Sequence, residues 1–75
     1  MTFLEVQYRY AGPLAFAQLK RIGELPGHYG IRRIQLDEGG STACIEYDAS
    51  RLKESEVVHW VRMAGIPLTE RVPAN

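Results

Sequence analysis

The sequence predicts an α+β fold with the element order β-α-β-β-α-β. Some stretches alternate apolar and polar residues with a period of two, others repeat apolar residues at helical spacing, and glycine or proline separates them. Because 75 residues leave room for one hydrophobic core, we expect a single domain, residues 1–75, with a core of about 3–72.

The first strand is predicted over residues 3–10, where apolar or aromatic side chains occupy every second position. Those expected on the buried face are Leu4, Val6, Tyr8 and Tyr10. Gly12-Pro13 ends this strand, and proline suits the first turn of a helix because its missing N–H needs no partner there. We therefore predict the first helix from Pro13 to Leu25. Its apolar face is expected to carry Leu14, Ala15, Leu19, Ile22 and Leu25, with Phe16 outside that face.

The middle of the sequence predicts a β-hairpin. Residues 31–36 and 41–47 have strand character, and Gly39-Gly40 between them suits a tight turn. The inward side chains are expected to be Ile34, Leu36, Ala43, Ile45 and Tyr47.

A second helix is predicted from Lys53 to Ala64, with Ser50 or Ser55 as its N-terminal cap. On its buried face we expect Val57, Trp60, Val61 and Ala64, whereas His59, Arg62 and Met63 point away. Residues 67–72 predict a fourth strand at a sheet edge, where proline is tolerated, and residues 73–75 are expected to fray.

Right-handed crossovers arrange these elements as a ferredoxin-like βαββαβ sandwich: a four-stranded antiparallel sheet of order 4-1-3-2 with both helices on one face. The open face is then expected to carry Glu5, Gln7, Arg9, Arg33, Gln35, Glu46 and Arg71. Mixed charges without paired aromatic residues on this face argue against RNA binding.

The amino-acid composition argues against several classes of protein, including nucleic-acid-binding and membrane proteins. Lys and Arg together number 9, as do Asp and Glu, so no net field favours nucleic acid or an anionic membrane. One cysteine excludes an internal disulfide. No stretch approaches the roughly 20 apolar residues of a membrane helix, and no signal peptide is recognisable. We expect a cytoplasmic domain without a cofactor.

The second half of the chain resembles the heavy-metal-associated domain of copper chaperones and metal-pumping ATPases. The residues that carry the resemblance are Tyr47-Asp48-Ala49-Ser50, Val57, Val58, Trp60-Val61 and Ala64-Gly65-Ile66. The resemblance implies a ferredoxin-like fold and a soft metal held by Cys-x-x-Cys at the first loop. Residues 10–18 contain no cysteine, so no family ligand carries over and the resemblance implies a lost metal site.

A second resemblance leads to a different function. Gly12-Pro13-Leu14, Leu19, Ile22 and Gly30-Ile31 are similar to small-molecule-binding ACT domains. That similarity implies amino-acid sensing at a subunit interface. The aspartate that usually precedes the loop glycine is replaced by Ala11.

Other residues suggest metal binding more weakly. Cys44, His28 and the pair His59 and Met63 are soft-metal ligand types, but none of them has the further ligands that a metal site needs, so a metal is not expected. Weak metal binding or a metal-transport role through these residues is therefore the second alternative function. No nucleophile–base pair, carboxylate pair or phosphate loop can be assembled, and we expect no enzyme activity.

The sequence thus favours a protein-interaction or regulatory module. The candidate partner or ligand surface comprises Tyr10, Ala11, Gly12, Pro13, Leu14 and Phe16. Exposed aromatic and apolar residues beside a loop are typical of contact patches. The edges of the second and fourth strands also offer a route to a homodimer by strand addition.

Overall fold

The computed structural model describes residues 2–27 and 29–73 of the chain. Its helices and strands follow the predicted order. They are β1 (Phe3–Tyr10), α1 (Phe16–Glu24), β2 (Ile31–Asp37), β3 (Thr42–Asp48), α2 (Glu54–Met63) and β4 (Leu68–Val72). The expected fraying of residues 73–75 falls partly on 74 and 75, which lie outside the described residues.

The four strands form one antiparallel sheet of order β2-β3-β1-β4, which confirms the predicted ferredoxin-like topology. β1 and β3 lie in the centre and pair over their lengths, with Val6 opposite Ile45. β2 and β4 are the two edges.

The core lies between the inner face of this sheet and the two helices. Ile45, Val57 and Val61 are fully buried, and Ile22 brings α1 into the same cluster. Leu4 was expected in this layer but is 49% exposed. The reason is the length of β4, whose pairing with β1 reaches Gln7 and leaves Leu4 without a neighbouring strand on that side.

The first helix begins later than predicted, at Phe16 rather than Pro13. Ala15 is the N-cap, with extended backbone angles, and its N–H donates to Oε1 of Gln18 at 2.6 Å. Ala15 is exposed and does not belong to the apolar face of α1, where the sequence predicted it. The Gly12-Pro13 peptide bond is cis, and residues 11–14 connect β1 to α1 outside the helix.

Neither serine caps the second helix, so that prediction was wrong. Lys53 is the N-cap, and its backbone N–H donates to Oε1 of Glu56 at 3.0 Å, the return half of a capping box. Ser50 instead donates from its hydroxyl and its N–H to Oδ1 of Asp48, at 2.5 and 3.0 Å. Ser55 lies within the first turn.

Arg71 lies on the helix face of the sheet, whereas the sequence predicted it on the open face. The register between β1 and β4 shifts between Tyr8 and Tyr10, which breaks the simple alternation along β4. Arg71 consequently lies opposite Tyr8, and its Nε is 3.4 Å from Oε2 of Glu54 in α2. The Tyr8 hydroxyl donates to the same oxygen at 2.5 Å, so Glu54 joins the helix to two strands.

This contact generates a pH prediction. Burial, followed by the hydrogen bond to Glu54, raises the pKa of Tyr8 from 10.0 to about 12. A raised folded-state pKa means that the stabilisation is complete below about pH 10 and is lost as the pH rises through 12. Tyr8→Phe should cost about 1 kcal/mol of unfolding free energy at pH 8. Urea titrations of both proteins from pH 8 to 12 should show this difference shrinking as the pH rises, and a constant difference would contradict the assignment.

Candidate functional site

The loop between β1 and α1 presents an apolar surface at one end of the sheet. We call Ala11–Leu14 together with Phe16 the first-loop surface. Ala11, Gly12, Pro13 and Phe16 are exposed and Leu14 is half-buried. Phe16 is 81% exposed, and Met63 on the other helix is 68% exposed. An aromatic ring held so far into solvent is the main feature of this surface.

Tyr10 was predicted to belong to this surface, but the structure buries it in the core at 6% exposure. Its ring packs under the loop: a Cβ added to Gly12 would lie 3.3 Å from Cε1 of Tyr10. A side chain at residue 12 would therefore require the Tyr10 ring to shift by a few tenths of an ångström. Tyr10 therefore supports the loop from beneath and contributes little area for a partner.

Backbone hydrogen bonds attach the start of the loop to both neighbouring segments. The Tyr10 N–H donates to the carbonyl of Ser41 at 2.9 Å, and the Ala11 N–H donates to the carbonyl of Pro67 at 3.0 Å. Ser41 precedes β3 and Pro67 precedes β4. The loop is thus fixed relative to the sheet before it reaches the helix.

Gln18 fixes the other end of the loop. Its Oε1 accepts the N–H of Ala15, and its Nε2 donates to the carbonyl of Gly65 at 2.6 Å. Gly65 has a φ of 99°, a backbone conformation that glycine adopts without strain. One side chain therefore caps α1 and joins it to the segment after α2, which holds Phe16 in position.

A small depression of about 130 Å³ opens beside the loop. The residues that line it are Tyr10, Gly12, Pro13, Leu14, Glu38 and Ser41. Sequence reasoning missed Glu38 and Ser41. The predicted sheet order did contain a signal, because antiparallel pairing brings the end of the first strand to the start of the third.

Acidic groups stand at the rim of this depression. Burial raises the pKa of the Tyr10 phenol, and the carboxylates of Glu38 and Asp37 add to the rise. The phenol therefore stays neutral, and the Glu38 carboxylate of the hairpin turn borders a hollow whose lining is partly polar and partly apolar.

The residues suggested as weak metal ligands are not brought together. Cys44 lies on the open sheet face, opposite Gln7 on one side and Gln35 on the other. His59 packs edge-on against Trp60 at 5.2 Å between ring centroids, while Met63 is exposed. Within residues 2–27 and 29–73 no group of three His, Cys, Asp or Glu could hold a metal ion. His28 lies outside the described residues.

Comparison with known proteins supports the fold. No family model matches the sequence, and no curated protein matches it. Among solved structures, oxidised MerP from Ralstonia metallidurans CH34 matches with a TM-score of 0.67 and 15% sequence identity. The match covers 92% of this chain and 97% of MerP. The chain therefore shares the fold of MerP, a four-stranded antiparallel sheet with two helices. In the described part of the chain, no helix is long and apolar enough to cross a membrane.

The environment of Cys44 predicts a thiol that is alkylated slowly. Burial raises its pKa, and the Glu5 carboxylate adds to the rise. Because the thiolate is the reactive form, iodoacetamide at pH 8 should alkylate the folded protein more slowly than the urea-unfolded chain. Glu5→Gln should speed the folded reaction, since it removes the neighbouring negative charge. Equal rates in the folded and unfolded states would contradict this description of the thiol.

Proposed function

We propose that this domain is a non-catalytic protein-interaction module: a heavy-metal-associated-like fold whose first loop has lost its thiolate metal site. The observation that carries the proposal is the exposed ring of Phe16, which closely follows the exposed loop residues Ala11 and Pro13 in the chain. Binding energy at protein interfaces concentrates in a few aromatic or apolar anchors set next to pockets. The first-loop surface includes an exposed aromatic ring, and its residues 12–14 line the depression. Backbone and Gln18 hydrogen bonds hold this segment.

The depression indicates what kind of segment would bind. Its volume of about 130 Å³ suits one aliphatic side chain of a partner, since pockets for whole small molecules usually exceed about 300 Å³. Glu38 at its rim would pair with a basic residue. We therefore expect a protein segment in which an aliphatic residue stands next to Lys or Arg.

Loss of a soft-metal site fits the chemistry of the loop. Residues 10–18 carry no thiol, imidazole or carboxylate, which are the side chains that bind Zn(II) or Cu(I) most readily. Cys44 would have to act from the open face of the sheet, where Gln7 and Gln35 are its neighbours across the strands.

Amino-acid sensing of the ACT type is less well supported. The depression is small for a free amino acid, and Glu38 is the one charged residue among the described residues that line it. An amino acid needs a partner for its carboxylate as well as for its amine. Thermal stabilisation of the purified domain by one member of an amino-acid panel would nevertheless favour sensing over protein binding.

The interaction surface can be tested with a matched pair of variants. Peptides selected from a display library on the wild-type domain should carry the aliphatic–basic pattern. Phe16→Ser should weaken their binding at least about 30-fold, the scale of losing one hot-spot residue. Met63→Ser changes a similarly exposed apolar residue on the other helix and should leave binding unchanged. Both variants should unfold in urea at the wild-type midpoint, because both side chains lie largely in solvent.

Two results would contradict the interaction surface. The first is a selection that yields no peptide with affinity above the background of an unrelated domain. The second is an equal loss of binding in Phe16→Ser and Met63→Ser, which would place the contact elsewhere.

Metal titration tests the loss of the thiolate site separately. Adding Zn(II) or Cu(I) to the labelled domain should leave the backbone amide shifts of residues 10–18 unmoved, because that segment offers no soft ligand. Saturable shifts confined to those amides, or retention of one equivalent of metal against a competing thiol, would restore the metal-carrier function.

A further inference from the structure

β2 forms one edge of the sheet and has a strand neighbour on one side, β3. Its residues 33–37 pair regularly with β3, from Arg33 opposite Glu46 to Asp37 opposite Thr42. The outer edge of such a strand presents unpaired N–H and C=O groups and is a template for another strand. The distribution of side chains along this edge indicates which strand would fit.

Charges on β2 are separated along the open face of the sheet. Arg33, Gln35 and Asp37 lie on that face at successive alternate positions, and all three are exposed. Glu46, which is opposite Arg33 in the register, pairs instead with Arg32 at 3.2 Å. Among the residues that the structure describes, no carboxylate forms an ion pair with Arg33. The strand therefore has an unpaired positive charge toward its start and a negative charge at its end.

Such a strand has charges complementary to those of a second copy of itself when the two strands run antiparallel. If a two-fold axis passes through Gln35, Arg33 of each copy faces Asp37 of the other, and Gln35 faces Gln35. Moving the axis to Arg33 places two arginines opposite each other. An axis at Ile34 or Leu36 places a charge opposite Gln35. The Gln35-centred register thus pairs both sets of opposite charges, a favourable arrangement across neighbouring strands.

The same register also suits the inner face. Ile34 and Leu36 point toward the helix layer, opposite Ile45 and Ala43, but remain only half-buried at the edge. Around the Gln35 axis, Ile34 of one copy faces Leu36 of the other. Apolar side chains would then meet across the join, so that one continuous sheet and one continuous apolar layer run through both copies.

β4, the opposite edge, lacks this complementarity. An axis through Glu70 or Arg71 near its middle places like charges opposite each other, which is unfavourable. Both residues already have partners within the chain: Nε of Arg9 is 3.5 Å from Glu70, and Arg71 pairs with Glu54.

We propose that β2 is a self-association edge, through which two copies of this chain pair antiparallel over residues 33–37 in the register centred on Gln35. This interface uses neither Phe16 nor the loop residues. It therefore goes beyond the proposed partner-binding function and can fail independently of it.

Charge reversal provides the test, read by sedimentation of the full chain across a range of concentrations. Wild type should pass from monomer to dimer. Arg33→Asp places two carboxylates opposite each other, and Asp37→Arg places two guanidinium groups opposite each other, so each variant alone should dimerise at least about tenfold more weakly. An equimolar mixture should recover the dimer, because every facing pair is then of opposite charge. Arg51→Asp makes the same charge change as Arg33→Asp at an exposed site outside β2 and should dimerise like wild type.

Asp37 also accepts the Gly40 N–H in the hairpin turn at 3.3 Å, so the Asp37→Arg variant could fail to fold. A measurement on the wild-type protein covers that case. Concentration-dependent amide shifts should centre on residues 33–37. The proposal is overturned if wild type stays monomeric at millimolar concentration, if the shifts centre on β4, or if a folded Arg33→Asp variant dimerises like wild type.

Discussion

The pairing of β1 with β3 is the constraint on which the rest of this domain depends. The two strands are not consecutive in the chain, and their antiparallel register places Val6 opposite Ile45 at the centre of the core. Once β1 and β3 are paired, each has one unpaired side left. β2 joins the free side of β3 and β4 joins the free side of β1, so both become edge strands. The pairing of β1 with β3 also brings the end of β1 to the start of β3, where the backbone of Tyr10 bonds to Ser41. Both the first-loop surface and the free edge of β2 follow from this single arrangement.

The order of elements could be predicted from the sequence because it depends on periodicity, and every element boundary except the start of α1 lies within about one residue of its expected position. The errors lie where a particular contact or register shift overrides the expected pattern. Arg71 changed face because a shift in register interrupts the alternation of β4. Ser50 failed as a helix cap because the Asp48 carboxylate engages its hydroxyl. The register shift is not visible in the periodicity of the sequence, whereas the contact of Ser50 with Asp48 is local, since the two residues lie two positions apart in the chain.

The candidate site, like the fold, was predictable where it depends on periodicity and not where it depends on packing. The exposure of Phe16 follows from its angle on the helix and was correctly expected. Burial of Tyr10 beneath Gly12, and the approach of Glu38 to the loop, depend on how the hairpin turn packs against the end of β1. Such packing requires coordinates, since no periodicity relates residue 10 to residue 38.

Hydrogen bonds within the chain attach both ends of the first loop, and this bears on what the surface can do. In a site built around an ion, the ligand bonds order the loop. Here Ser41, Pro67 and Gly65 accept hydrogen bonds from its two ends. A surface already ordered in the free protein loses little conformational entropy when a partner binds. That property matters most for a contact of limited area, such as one that uses a single exposed aromatic ring and a small hollow. These hydrogen bonds are therefore the contacts that would suit the loop to the proposed binding of a protein segment.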